Sequence, residues 1–177
     1  MKIGEYFIEN IDVSGSKAGN IYIRGGKFAI DKGTIKANTR GDENGGGIDV
    51  RLTGDLLVTN DGAIYSNGFG AGQGRKIEIE AENIELSNGG IIVSGANGSG
   101  EGANLSISVQ NSFKISGKNE NTSGVISVTR NIGDAGNVSI KADSLTISDG
   151  GFIYGDTDSI VYGKRQPIFQ QKFGNWN

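Results

Sequence analysis

Histidine and cysteine are absent from this chain, and proline, tryptophan and methionine occur once each. Without histidine or cysteine there are no His-based triads, no thiol nucleophiles and none of the usual zinc sites, and a disulfide scaffold is excluded. Long hydrophobic runs are also missing. The longest are of the Ile91-Ile92-Val93 kind, far short of the roughly 18 residues a membrane-spanning helix needs, so no membrane insertion is expected. A net charge of −3 with 21% charged residues leaves no basic footprint and argues against nucleic acid as a partner. No G-x-x-x-x-G-K-[ST] phosphate loop occurs, and Arg24-Gly25-Gly26 reads as a turn. The opening MKIGEYFIEN has one lysine and no apolar core, so it does not read as a secretory signal.

Glycine is what the chain has in excess, with 31 residues that cluster between short apolar segments and follow no every-third period, which excludes collagen. Residues 74–101 show the grammar most clearly. Apolar and polar residues alternate at Ile77 and Ile79, at Ile84 and Leu86, and around Ile91 to Val93, with small or polar residues at each break. The same unit recurs over 18–44, 45–73, 102–134 and 135–163. Its first inward position is Ile21, Ile48, Ile77, Leu105 and Val138, at spacings of about 27, 29, 28 and 33 residues, in the range that marks a solenoid.

The second strand of each unit is expected to turn inward Phe28 and Ile30, Leu57 and Thr59, Ile84 and Leu86, Phe113 and Ile115, and Leu145 and Ile147. A turn follows at Lys32-Gly33, Asp61-Gly62, Asn88-Gly89 and Asp149-Gly150, where positive φ is expected. A third strand is expected near Ile35, Ile64, Ile91 and Phe152. In the fourth unit an insertion around 117–123 moves it to Val125 to Val128.

A unit this short cannot bury its strands alone, but stacked copies pair equivalent strands in parallel, about 4.8 Å apart, around a narrow apolar interior. The expected fold is all-β, a right-handed parallel β-helix of about five coils with three parallel sheets; the hexapeptide rhythm of the left-handed type is absent. Residues 1–17 read as a partial coil or cap, 18–163 as the repeats, and 164–177 as a non-repeat tail that caps the last coil or frays.

The runs IDVSGSKAGNIYIRGGKFAIDKGTIKANTRGDENGGGIDV, DLLVTNDGAIYSNGFGAGQG and GDAGNVSIKADSLTISDGGFI resemble the repeat region of filamentous-haemagglutinin-like exoproteins. That family belongs to two-partner secretion systems and has many cyanobacterial members. The resemblance covers about Ile11 to Phe152. It implies a right-handed parallel β-helix, export through an outer-membrane secretion partner in the full-length form, and a secreted or outer-surface role in adhesion or aggregation toward surface glycans or proteins. The secretion domain and signal peptide of such proteins are not in this stretch, so it reads as an internal segment or a truncated product.

Several groupings could carry chemistry. Arg40-Gly41-Asp42 is an RGD tripeptide in a glycine-rich turn, a candidate receptor contact. Asp42, Glu43 and Asn44, or Asp156 and Asp158, could offer oxygens to calcium, but neither the nonapeptide nor the EF-hand pattern is met, and they read as solvated loop carboxylates. Glu78, Glu80, Glu82 and Glu85 project outward. Paired carboxylates can cleave glycosides, but here the charged ladder Arg24, Arg51, Glu80 and Lys141 reads as protection against edge pairing. If Ile35, Ile64, Ile91 and Phe152 point inward, then Lys36, Tyr65, Ile92 and Ile153 form a partly apolar outer stripe, and Tyr65, Ile92 and Ile153 join the RGD turn as candidate contacts. No catalytic residue, metal or cofactor is expected. The expected role is that of a non-catalytic adhesin rod, and the alternative is a polysaccharide-acting β-helix enzyme, a lyase or glycoside hydrolase.

Overall fold

A computed structural model describes residues 10–73, 76–117, 122–129 and 135–155, together with the backbone of 160–163. The described chain is all strand and turn. After β1 (Asn10–Asp12) come five three-stranded coils: β2 (Ile21–Gly25), β3 (Phe28–Asp31) and β4 (Thr34–Lys36); β5 (Ile48–Leu52), β6 (Asp55–Thr59) and β7 (Ala63–Gly68); β8 (Ile77–Ala81), β9 (Asn83–Ser87) and β10 (Ile91–Ala96); β11 (Leu105–Val109), β12 (Ser112–Ser116) and β13 (Gly124–Thr129); and β14 (Val138–Ala142), β15 (Ser144–Ser148) and β16 (Phe152–Gly155). β17 (Ile160–Gly163) then lies along β14.

Every strand pairs in parallel with its counterpart one coil away, which makes three sheets. The first sheet runs β17-β14-β11-β8-β5-β2, the second β15-β12-β9-β6-β3 and the third β1-β4-β7-β10-β13-β16. Ile21, Ile48, Ile77, Leu105 and Val138 are successive register partners and all are buried. Beside them run Ile23, Val50, Ile79, Ile107 and Ile140. Alternation puts these side chains on one face of the pleat, and parallel pairing stacks like on like into the single core.

Two expected registers are corrected. On the second sheet the inward residues of the second coil are Leu56 and Val58, paired with Phe28 and Ile30, and Leu57 is on the outer face at 39% exposure. The corner explains the shift: four steps separate Leu52 from Leu56, against three between Gly25 and Phe28, which occupy the matching columns. On the third sheet the inward column is Ile35, Ile64, Ile92, Val125 and Ile153, so Ile91 and Phe152 are outward positions. Adjacent apolar residues in Asp55-Leu56-Leu57-Val58 and Ile91-Ile92-Val93 leave alternation unable to choose, and the backbone ladder chooses for them.

The turn after the second strand also departs from expectation in two coils, and in the first of them Lys32 takes positive φ while Gly33 does not. Asn88 and Gly89, and Asp149 and Gly150, take positive φ as expected, but in the second coil the positive pair is Asn60 and Asp61, because Asp61 occupies the place of Gly89.

Many glycines serve close approach between coils. A Cβ on Gly46 would lie 1.9 Å from the Gly19 carbonyl oxygen, on Gly98 2.1 Å from that of Gly70, and on Gly136 2.0 Å from that of Ala103. A serine column inside the third sheet, Ser66, Ser94 and Ser127, ties the sheet to the same loops: the hydroxyls of Ser94 and Ser127 donate to the carbonyls of Ala103 and Gly136. These buried hydroxyls satisfy carbonyls that water cannot reach.

Gly98→Val is therefore expected to lower stability by roughly 1–3 kcal/mol, because a backbone oxygen cannot move aside as a side-chain tip can. Gly26→Ala, with nothing within 4 Å of its Cβ, is expected to leave the urea midpoint unchanged or raise it slightly.

Candidate functional site

The most organised group of polar side chains is on the outer face of the first sheet. Each residue there stands next to an inward position, so alternation alone turns it to solvent. Tyr22, Asp49 and Glu78 form one outward column and Arg24, Arg51 and Glu80 the next. The second column continues through Ser108 to Lys141, so Arg24, Arg51, Glu80 and Lys141 do share one ladder.

Asp49 holds the cluster together. Its Oδ2 accepts from Arg24 Nη2 at 2.7 Å and its Oδ1 from Arg51 Nε at 3.1 Å. Arg24 Nη1 also donates to the Asp49 carbonyl at 2.8 Å. Arg51 reaches on to Glu78 at 3.8 Å, and Lys76 Nζ lies 2.7 Å from the other Glu78 oxygen. Three cations, Arg24, Arg51 and Lys76, thus face three carboxylates, Asp49, Glu78 and Glu80. Arg24 also stands over the Tyr22 ring, 5.8 Å from its centre, and that ring is 68% exposed. A shallow depression of about 150 Å³ is lined by Asn20, Tyr22, Gly47, Ile48, Asp49, Lys76 and Glu78.

Burial pushes the Asp49 carboxyl up, but the hydrogen bonds and charges of Arg24 and Arg51 outweigh it and leave it below the usual carboxylate range. A carboxyl held down in this way is ionised at neutral pH and is a poor proton donor. Glu82 and Glu85 do not join the cluster. Glu82 sits at the corner and accepts from Asn111, and Glu85 lies on the second sheet beside Lys114.

The RGD turn is wedged into the stack. Arg40 and Gly41 donate their backbone N–H groups to the carbonyls of Gly15 and Ser16 at 2.8 and 2.9 Å. Asp42 Oδ1 accepts the Ala71 N–H at 3.0 Å, and Gly41 accepts from Gly72 at 3.3 Å. The Arg40 and Asp42 side chains are exposed, but the backbone between them is fixed from both sides. Glu43 pairs with Lys17 at 3.1 Å, and Asn44 Oδ1 accepts from Gln73. Among the described residues no group of three His, Cys, Asp or Glu could hold a metal ion. Asp156 and Asp158 lie outside the described residues.

Of the residues expected on the outer stripe, Tyr65 is there, while Ile92 is fully buried and Ile153 packs against the core. The stripe is instead Lys36, Tyr65, Val93, Ile126 and Tyr154. Lys36 Nζ lies 6.0 Å from the centre of the half-buried Tyr65 ring, and burial raises the Tyr65 hydroxyl above its ordinary value. A sequence signal for this register exists in Ile64-Tyr65-Ser66, Ile92-Val93-Ser94 and Val125-Ile126-Ser127, where the serine marks the same inward place. The Tyr22, Asp49 and Glu78 column was also available, one residue past each first inward position.

The carboxyls of Asp12, Asp49 and Asp55 are all lower in the folded chain than their ordinary value of 3.8. Ser14 lowers Asp12, and Lys27 and Asn83 lower Asp55. Groups lowered on folding stabilise the fold above the unfolded pKa, and that contribution is lost as pH falls through the folded values. The urea midpoint is accordingly expected to drop as pH is taken below about 4, and Asp49→Asn to make the drop shallower.

No family model, curated protein or solved structure matches the chain.

Proposed function

We propose that this chain is a non-catalytic rod segment of a secreted or surface-displayed adhesin of the filamentous-haemagglutinin-like kind, working by extension and by display of its outer faces to surface glycans or proteins. The observation that supports this reading most directly is the charge cluster on the first sheet. Asp49 and Glu78 are already committed to Arg24, Arg51 and Lys76, over a depression that is shallow and open. The stacked coils supply the geometry of a rod, gaining roughly 4.8 Å each.

One observation favours a second reading. Asp49 and Glu78 are register partners on neighbouring strands, so two carboxylates stand side by side on one outer face, the residue type that glycosidases use in pairs. An enzyme acting on polysaccharide would use this pair.

Beads coated with the chain are expected to adhere to glycan-bearing surfaces or aggregate cells, and the Asp49→Asn, Glu78→Gln double variant is expected to adhere equally well. Incubation with polygalacturonate, alginate and neutral glucans is expected to release neither unsaturated products nor new reducing ends. Release that the double variant abolishes would replace the adhesin reading with the enzymatic one.

A further inference from the structure

Among the described residues, the end of the stack at the fifth coil is covered by a further strand on only one of its three sides. On the first sheet β17 lies along β14, with Gly163 opposite Ala142. On the other two sheets β15 and β16 are edge strands. Leu145, Ile147 and Ile153 share columns with Phe113, Ile115 and Val125. Those three are 0% exposed, whereas Leu145, Ile147 and Ile153 are only partly buried. The side chains are of the same kind in the same columns, and the difference is the layer of chain that the inner coils have on both sides.

The last described strand also ends here. Gly163 sits opposite Ala142, and Leu145 is three residues beyond Ala142. Gly163, the last described residue, therefore lies at the same end of the stack as β15. Residues 164–177 contain Ile168, Phe169, Phe173 and Trp176, and fourteen residues span up to roughly 46 Å, several strand lengths. They lack the alternation of a sixth coil, and Pro167 has no N–H to give to a ladder. Their charged residues, Lys164, Arg165 and Lys172, are all positive on a chain of net charge −3.

We propose that the surface formed by Leu145, Ile147 and Ile153 is the docking site of residues 164–177, whose apolar side chains take the place of a sixth coil. The same cover keeps a second copy from pairing with the edges of β15 and β16.

Trp176 is the sole tryptophan and reports on this contact in the full-length chain. Its emission is expected to be blue-shifted from that of the urea-unfolded chain, with acrylamide quenching reduced several-fold. Leu145→Ser should shift the emission back to the red with the β signal in circular dichroism retained, and Leu57→Ser, on an outer face, should not. Removal of 164–177 should lower the urea midpoint and make the sedimentation coefficient rise with concentration. If the truncated chain does not fold, the Leu145 and Leu57 variants decide. Emission and quenching equal to those of the unfolded chain, or a blue shift unaffected by Leu145→Ser, would overturn the proposal. So would a blue shift that appears only as concentration rises, since a second copy would then be the cover.

Discussion

Parallel backbone pairing between one coil and the next is the constraint on which everything else in this structure depends. A coil of about 28 residues has an apolar interior too small to hold itself together. Once its strands pair with equivalent strands above and below, each inward residue meets its own counterpart, and a column such as Ile23, Val50, Ile79, Ile107 and Ile140 becomes part of one continuous core. The glycine content follows from the same constraint. Where loops as well as strands stack, carbonyl oxygens of one coil come within about 2 Å of where a Cβ of the next would be, as at Gly46 and Gly136. Several side chains at the loops and corners are short acceptors. Asn20, Asn38, Asn44, Asn83 and Asn104 each take a backbone N–H from the coil that follows.

The outer faces obey the same translation, with a different consequence. Stacking puts like positions side by side, so Arg24 comes to lie against Arg51, an unfavourable contact for like charges on adjacent strands. Asp49, one column over, resolves it by binding both guanidiniums. The cluster that results is orderly because the sheet is orderly, and Asp49 and Glu78 are occupied for the same reason. The RGD turn is treated alike: its backbone is held by Gly15 and Ser16 on one side and by Gly72 on the other, where the Asp42 side chain also accepts from Ala71.

The period, the strand count and the first-sheet columns were all legible in the sequence, because alternation there is strict and each unit opens on the same pattern, as in Ile48-Asp49-Val50 and Val138-Ser139-Ile140. The second and third sheets were legible only in part. Leu56-Leu57 and Ile91-Ile92 offer two apolar residues for one inward place, and the corner after Leu52 is a residue longer than the corner after Gly25. Two of the four stripe residues read from the sequence, Ile92 and Ile153, therefore face the core, and the aromatic exposed at the foot of the stripe is Tyr154.

By itself, then, the sequence determined that the chain coils, how often, and around which first column, since a periodic apolar pattern has one way of burying itself against copies. Only the tertiary structure decided which member of each apolar pair turns inward, and which charges become neighbours across 25 or more residues of chain. The physical reason is that a one-residue change at a corner turns every following side chain to the opposite face. Composition barely registers that change, while the backbone ladder registers it fully.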